Sequence, residues 1–281
     1  MNINNDKINF KLQDFVRIMP FQGQENWLPK LSQMSMLYHF AEYETLKRGI
    51  RQAGTWHVDH QNLDRELERF NKDGLIFTPL RKSGYYQGFA HYHHPVKPGE
   101  PFFWYGVLTK TYRDAQIFKK ADEKGDHFTI GKMLGYPECC IKYFIENFPK
   151  NYDPIWVNLE GKVKGYPEAN QMLRYFGVRI TSHLSCSPTC KETKKIGEIW
   201  FKIMKERNEK LAKEMYQLLA GPMIWNSYHG VVEVETPYFL GVTHTFPYFE
   251  KPRIIYWQGI SKKLNKAHEE QAYASASKKN S

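Results

Sequence analysis

The chain has 281 residues, 41% of them hydrophobic and 15% aromatic, which is enough apolar material for a sizeable core and excludes wholesale disorder. Its net charge of +10, from 40 Lys and Arg against 30 Asp and Glu, favours polyanionic or acidic partners without demanding one, because Lys262, Lys263, Lys266, Lys278 and Lys279 place part of it in a polar end. No run of 18 apolar residues occurs, and the first residues lack the cationic start, apolar stretch and cleavage site of a secretory signal, so a cytoplasmic protein without a membrane anchor is expected.

In chain order, residues 31–53 put Met34, Leu37, Tyr38, Ala41 and Leu46 at helical spacing, with Gly54 as the stop. Residues 64–71 read as a second helix that ends at the Asp73-Gly74 turn, and 75–80 as a short strand. Between 85 and 108 two aromatic runs, separated by the stretch from Pro95 to Pro101, predict a hairpin or two sheet strands. Helices follow over 111–124 and 128–134, and Pro137 opens another that runs to about Phe148. A loop over 149–167 and a short helix through Arg174 lead to the longest helix, 188–219. Its apolar stripe is Ile196, Ile199, Trp200, Ile203, Met204, Leu211, Met215 and Leu218. Alternating, β-branched residues over 223–245 predict strands, and the polar stretch 262–281 a disordered tail. The fold class expected is α+β: one domain over 1–261, with a possible sub-boundary near 110, whose cysteine-bearing centre is mostly helical and flanked by short antiparallel strands.

All four cysteines lie between positions 139 and 190, in two pairs: Cys139 with Cys140, and Cys186 with Cys190. In a reducing compartment this clustering points to metal binding or redox chemistry before structural disulfides. Each pair falls at a predicted helix start, with Pro137 and Pro188 suited to the first helical position and Ser187 a good N-cap. Unpaired N–H groups and the positive end of the helix dipole there favour thiolates. Four such sulfurs make a soft site for Zn²⁺ or an iron-sulfur cluster and exclude Mg²⁺ and Ca²⁺. The usual Cys-x2-Cys knuckle is absent from both pairs. Neighbouring residues also project about 100° apart on a helix, so one of Cys139 and Cys140 is expected to ligate and the other to serve as a nucleophile or redox thiol. Cys140 is the catalytic candidate, together with His127, which is also a weaker candidate ligand at the head of the preceding helix. His183, three residues before Cys186, is a candidate extra ligand. The alternatives are a regulatory disulfide between the pairs, or cysteines acting as small buried hydrophobes.

On Gly135, Tyr136, Pro137, Cys139 and Cys140, then His183, Cys186 and Cys190, with Gly125-Asp126, Ile130-Gly131 and Leu134 leading in, the chain resembles an uncharacterised family of prokaryotic and phage proteins. The resemblance implies a shared site over about a quarter of the chain and supplies no reaction. Its Lys-, Asn-, Tyr- and Phe-rich composition suits an AT-rich genome, and a phage source would make nucleotide or nucleic-acid modification the setting.

Two other histidine groups are weighed. His91 and His93 would share one strand face, with Glu100 farther along than a cupin-type site needs; His57 and His60, with Asp64 and Glu66, would need a helix to converge. The stretch from Gly125 to Lys132 does not fit a phosphate-binding loop, since Met133 stands where Ser or Thr must hold Mg²⁺. Lys191, Lys194, Lys195, Lys202, Lys205, Arg207, Lys210 and Lys213 are interleaved with glutamates and read as a solvated face. Tyr85, Tyr86, Phe89, Tyr92 and Trp104 suit base stacking or a core. The function expected is a metal- or iron-sulfur-dependent enzyme acting on a nucleotide, nucleic acid or other anionic substrate. The alternative is a non-catalytic, zinc-stabilised binding module.

Overall fold

The computed structural model describes residues 16–17, 24–84, 96–147, 161–163, 165–171, 173–174, 177–220, 223–226, 231–235, 242–244 and 254–258. In chain order these form β1 (Val16–Arg17), α1 (Gln24–Lys47), β2 (Ala53–Asp59), α2 (Leu63–Lys72), β3 (Ile76–Gly84), β4 (Phe102–Thr109), α3 (Tyr112–Lys124), α4 (His127–Met133), α5 (Glu138–Asn147), β5 (Gly161–Val163), α6 (Lys191–Leu219), β6 (Met223–Asn226), β7 (Val231–Glu235), β8 (Val242–His244) and β9 (Ile254–Gln258). The fold is α+β. The tail expected over 262–281 and the histidine strand around His91 and His93 lie outside the described residues.

Strands β2, β4 and β3 form an antiparallel sheet in that order, with β4 in the middle. Side chains alternate across it. Leu108 joins Leu46, Val58, Phe70, Leu75 and Phe77 on one face, under α2 and the end of α1, while Val107 joins Ala53, Phe118, Met133 and Leu134 on the other, under α3 and α4. Trp104 packs against the first of these clusters, which accounts for it as a core residue. The remaining strands form a second sheet in the order β1-β8-β9-β7-β6-β5, in which β7 and β9 run parallel.

Helices α1 and α6 pack on each other through Leu31, Met34, Leu37, Tyr38 and Ala41 from α1 and Trp200, Ile203, Met204, Leu211 and Met215 from α6. Both stripes have the 3–4-residue spacing of helices that bury one side. Helix α1 begins at Gln24, a turn and more before the apolar stripe, and stops at Gly49, whose φ of 71° closes it; Ala53 and Gly54 already belong to β2. Helix α6 is interrupted at Asn208, with φ −157° and ψ 95°, and the Asn208 side chain accepts from the Leu211 N–H to restart it. On its surface the basic residues alternate with partners, as in Lys194–Glu198 and Lys213–Glu209, so this is the solvated face the sequence predicts. Where a short helix through Arg174 is expected, the described residues include a 3-10 turn at Pro167–Ala169, and Arg174 is itself in 3-10 conformation.

A candidate metal centre

Two helix starts build the site. The first is made by the run from Gly131 to Cys140. Helix α4 closes with Gly135 at φ 75°, its N–H donating to the Lys132 carbonyl and that of Tyr136 to the Gly131 carbonyl, the paired bonds of a Schellman end. Pro137 follows, and its carbonyl accepts the first bonds of α5 from the Cys140 and Ile141 N–H groups. Helices α4 and α5 approach closely because position 131 has no side chain: a Cβ there would meet Ile141 Cγ1 at 2.7 Å. Cys139 and Cys140 thus stand in the first turn of α5.

The second start is α6. Cys190 itself is the N-cap, at φ −64° and ψ 110°, and its Sγ accepts from the Thr193 N–H at 3.4 Å. The sequence places the cap at Ser187; instead Ser187 contributes its carbonyl to the Cys190 N–H in the turn just before the helix.

These starts meet. Cys190 Sγ lies 3.7 Å from both Cys139 Sγ and Cys140 Sγ, which are 3.9 Å apart, and the Cys186 N–H points at Cys140 Sγ from 3.3 Å. All four sulfurs fall within 4.8 Å of one another and can hold a metal ion. The expected 100° divergence does not separate Cys139 from Cys140. In a first turn the Cα–Cβ bonds tilt back toward the helix N-terminus, so adjacent side chains both lean over the start, toward a partner placed beyond it. Cys140 and Cys190 are buried, Cys186 is half-buried and Cys139 is exposed.

The protons on these sulfurs are unequal. Burial opposes a thiolate at Cys190, yet hydrogen bonds from the Thr193 side chain and N–H and from Cys186 and Cys140 outweigh it and hold this thiol below its ordinary range. Burial pushes the Cys140 thiol well up, and burial together with the Cys190 sulfur pushes Cys186 up to about 12. Of Cys140, Cys186 and Cys190, Cys190 is therefore the sulfur that loses its proton most readily. A cation arriving at the cluster displaces the thiol protons.

His183 is not among the converging ligand atoms. It is buried, with Nε2 2.9 Å from Thr193 Oγ1, and that hydroxyl lies 3.3 Å from Cys140 Sγ. Its place is two hydrogen bonds from the Cys140 sulfur, behind Thr193, which it orients. Burial lowers its pKa to about 3, so the ring is neutral. The Tyr136 ring lies against it, centroids 5.1 Å apart. His127 sits exposed in the first turn of α4, edge-on to Phe144, and is not part of the cysteine group. Thr193 was not legible as a site residue, although a hydroxyl three positions after a helix-capping cysteine is a usable signal. Of the other histidine pair, His57 packs on Tyr105 from β2, while His60 stacks on Phe102 from a 3-10 turn, so the helical pairing they need is not formed.

Residues 114–219 match a family described as a protein of unknown function (DUF483), a stretch that includes all four cysteines, His127 and His183. Over 90 residues, 31% of this chain and 45% of the relative, the sequence is 33% identical to an uncharacterized protein of Methanocaldococcus jannaschii. The chain thus spans less than half the length of that relative. No solved structure matches. Among the described residues no helix is long and apolar enough to cross a membrane.

Proposed function

We propose that Cys139, Cys140, Cys186 and Cys190 bind one tetrahedral Zn²⁺, and that this centre is a structural clasp joining the start of α5 to the start of α6 in a metal-stabilised module. The sulfur separations carry the reading. Four ligands at a Zn–S distance of ~2.3 Å define a tetrahedron with edges of about 3.8 Å; the three pairs among Cys139, Cys140 and Cys190 are 3.7, 3.7 and 3.9 Å apart, and Cys186 Sγ lies within 4.8 Å of each. An iron-sulfur cluster spreads its thiolates over more than one iron and sets them farther apart, so sulfurs this close favour a single ion. The Thr193 N–H at the start of α6 on Cys190, and the Cys186 N–H on Cys140, offset part of the net charge of a four-thiolate ion.

A closed set of four protein ligands is the arrangement of structural zinc, while catalytic zinc keeps a position for water or substrate. A thiol-dependent activity is the second reading, and one observation favours it: Cys139 is exposed, so solutes have direct access to a sulfur of the centre. On this reading Cys139, not the buried Cys140, meets the substrate.

Purification without added metal, followed by elemental analysis and a visible spectrum, tests the assignment. About one zinc per chain in a colourless protein is expected. Iron with sulfide and a visible chromophore would replace zinc by a cluster, and neither metal would remove the centre. Folded, metal-replete Cys139→Ser that has lost an activity retained by wild type would favour the thiol reading over the purely structural one.

A further inference from the structure

Behind the cysteine centre lies a second polar cluster that the clasp does not use. Arg51 packs its stem on Gly135, where a Cβ would meet Arg51 Cγ at 3.1 Å, and is tied down through Nε to Thr45 Oγ1 and through Nη2 to the Glu42 carbonyl, both at 2.8 Å. Its guanidinium lies 5.0 Å over the Trp200 ring. Trp200 stacks on Tyr38, and the guanidinium of Arg179 lies 4.2 Å over that Tyr38 ring. The two arginines both act on the Glu42 carboxylate and on the Tyr136 phenol.

The charges do not balance. Among the described residues the carboxylate that both cations share is Glu42, and its two oxygens are engaged by Tyr38 Oη at 2.9 Å and His39 Nδ1 at 3.2 Å. Arg179 makes no hydrogen bond or close ion pair among the described residues, and its Nε is buried without an acceptor; the Ser182 hydroxyl beside the Tyr136 phenol is also buried without a well-formed partner. A guanidinium fixed on an aromatic face with a buried, unused Nε donor costs free energy that a folded chain normally recovers through an acceptor. Burial pushes Tyr136 up, so its phenol stays protonated as a donor. The cluster also reaches solvent, because Arg179 itself is only half-buried.

We propose that Arg179, with Arg51, Ser182 and Tyr136, forms a binding site for a phosphate group, free or carried by a small phosphorylated molecule. A planar guanidinium presents paired donors that match phosphate oxygens, and stacking on Tyr38 fixes it before the ligand arrives. None of these four residues is a cysteine ligand, so the site stands or falls independently of what the cysteines bind.

The test uses full-length, metal-replete protein. Calorimetric titration is carried out with inorganic phosphate and, separately, with adenosine monophosphate. The rate at which phenylglyoxal modifies Arg179 is followed by peptide mass spectrometry with and without each. Binding of at least one of them, protection of Arg179 and a loss of about tenfold or more in affinity on Arg179→Gln are expected, with Arg179→Lys intermediate. Tighter binding of the nucleotide would assign the phosphate to a carried group, and equal or tighter binding of inorganic phosphate to the free ion. If neither binds, if Arg179 reacts equally fast in their presence, or if folded Arg179→Gln binds like wild type, the proposal is overturned. Should Arg179→Gln fail to fold, protection of the wild-type arginine alone decides.

Discussion

Cys190 Sγ accepts a hydrogen bond from the Thr193 N–H at 3.4 Å, so a single sulfur both caps α6 and belongs to the cysteine cluster. The two roles are separable, because a serine hydroxyl can cap a helix and cannot serve as a soft ligand.

Cys190→Ser and Cys190→Ala are therefore both expected to lose the metal. In chelator-treated protein the serine variant should be the more stable by about 1 kcal/mol, the worth of an N-cap. Denaturant unfolding of the two metal-free variants checks this; equal midpoints would deny the sulfur its capping role.

Thr193→Val keeps the shape of the side chain and removes the hydroxyl set between His183 Nε2 and Cys140 Sγ. With both neighbours deprived of a partner in a buried place, stability should fall by ~1–3 kcal/mol, and metal affinity by roughly 10–100-fold, as outer-shell substitutions usually cause. Competition with a zinc chelator reads the second effect. An unchanged affinity would reduce Thr193 to a packing residue.

Gly131→Ala drives a Cβ to within 2.7 Å of Ile141 Cγ1 and wedges α4 from α5. A cost of ~1–3 kcal/mol is expected. Combining it with Ile141→Ala, which vacates the contact, should give a double variant less destabilised than the two single changes added together. Strict additivity would place the clash elsewhere.

His183 is held neutral, its pKa lowered by burial to about 3 against an ordinary 6.5. Below pH 6.5 the unfolded chain takes up a proton that the folded chain refuses, so the stability from this residue is complete above pH 6.5 and lost progressively as pH falls toward 3. The slope cannot exceed about 1.4 kcal/mol per pH unit. In metal-free protein, where acid cannot act by stripping the ion, His183→Gln should flatten stability against pH over that window. A profile of unchanged slope would show that another group sets it.

The sequence was readable where local rules decide. The helices expected over 111–124 and 128–134 form as Tyr112–Lys124 and His127–Met133, capped by Thr111 and Asp126, and Pro137 stands at the opening of α5 as expected. Helix ends were harder where the signal is shared. Gly49 and Gly54 are both plausible stops, and only the pairing of Ala53 with Thr109 in the sheet decides that the later one lies in a strand. The cysteines were legible as a group, since their spacing already separates them from a scattered set of core residues. That Cys139 and Cys140 point to one place depends on the partner lying beyond the helix start, a tertiary fact with no trace in the spacing. Arg179 was invisible for the same reason: it acts through Tyr38, brought in from elsewhere, and nothing in its own vicinity of the chain announces that. Thr193 carries a local signal, its spacing from Cys190, but its partner His183 is set by the fold.

Cys140 and Cys190 lie 50 positions apart. An ion bound to both is a cross-link, and closing a loop of that size in the unfolded chain is worth roughly 4 kcal/mol in the chain-entropy account used for disulfides. The difference lies in what controls the link. A disulfide answers to the redox poise of its compartment, whereas this link answers to the free metal concentration, and in the range where metal saturates the folded chain each tenfold fall in that concentration lowers stability by about 1.4 kcal/mol. The persistence of the fold would then be governed by how the cell buffers its zinc.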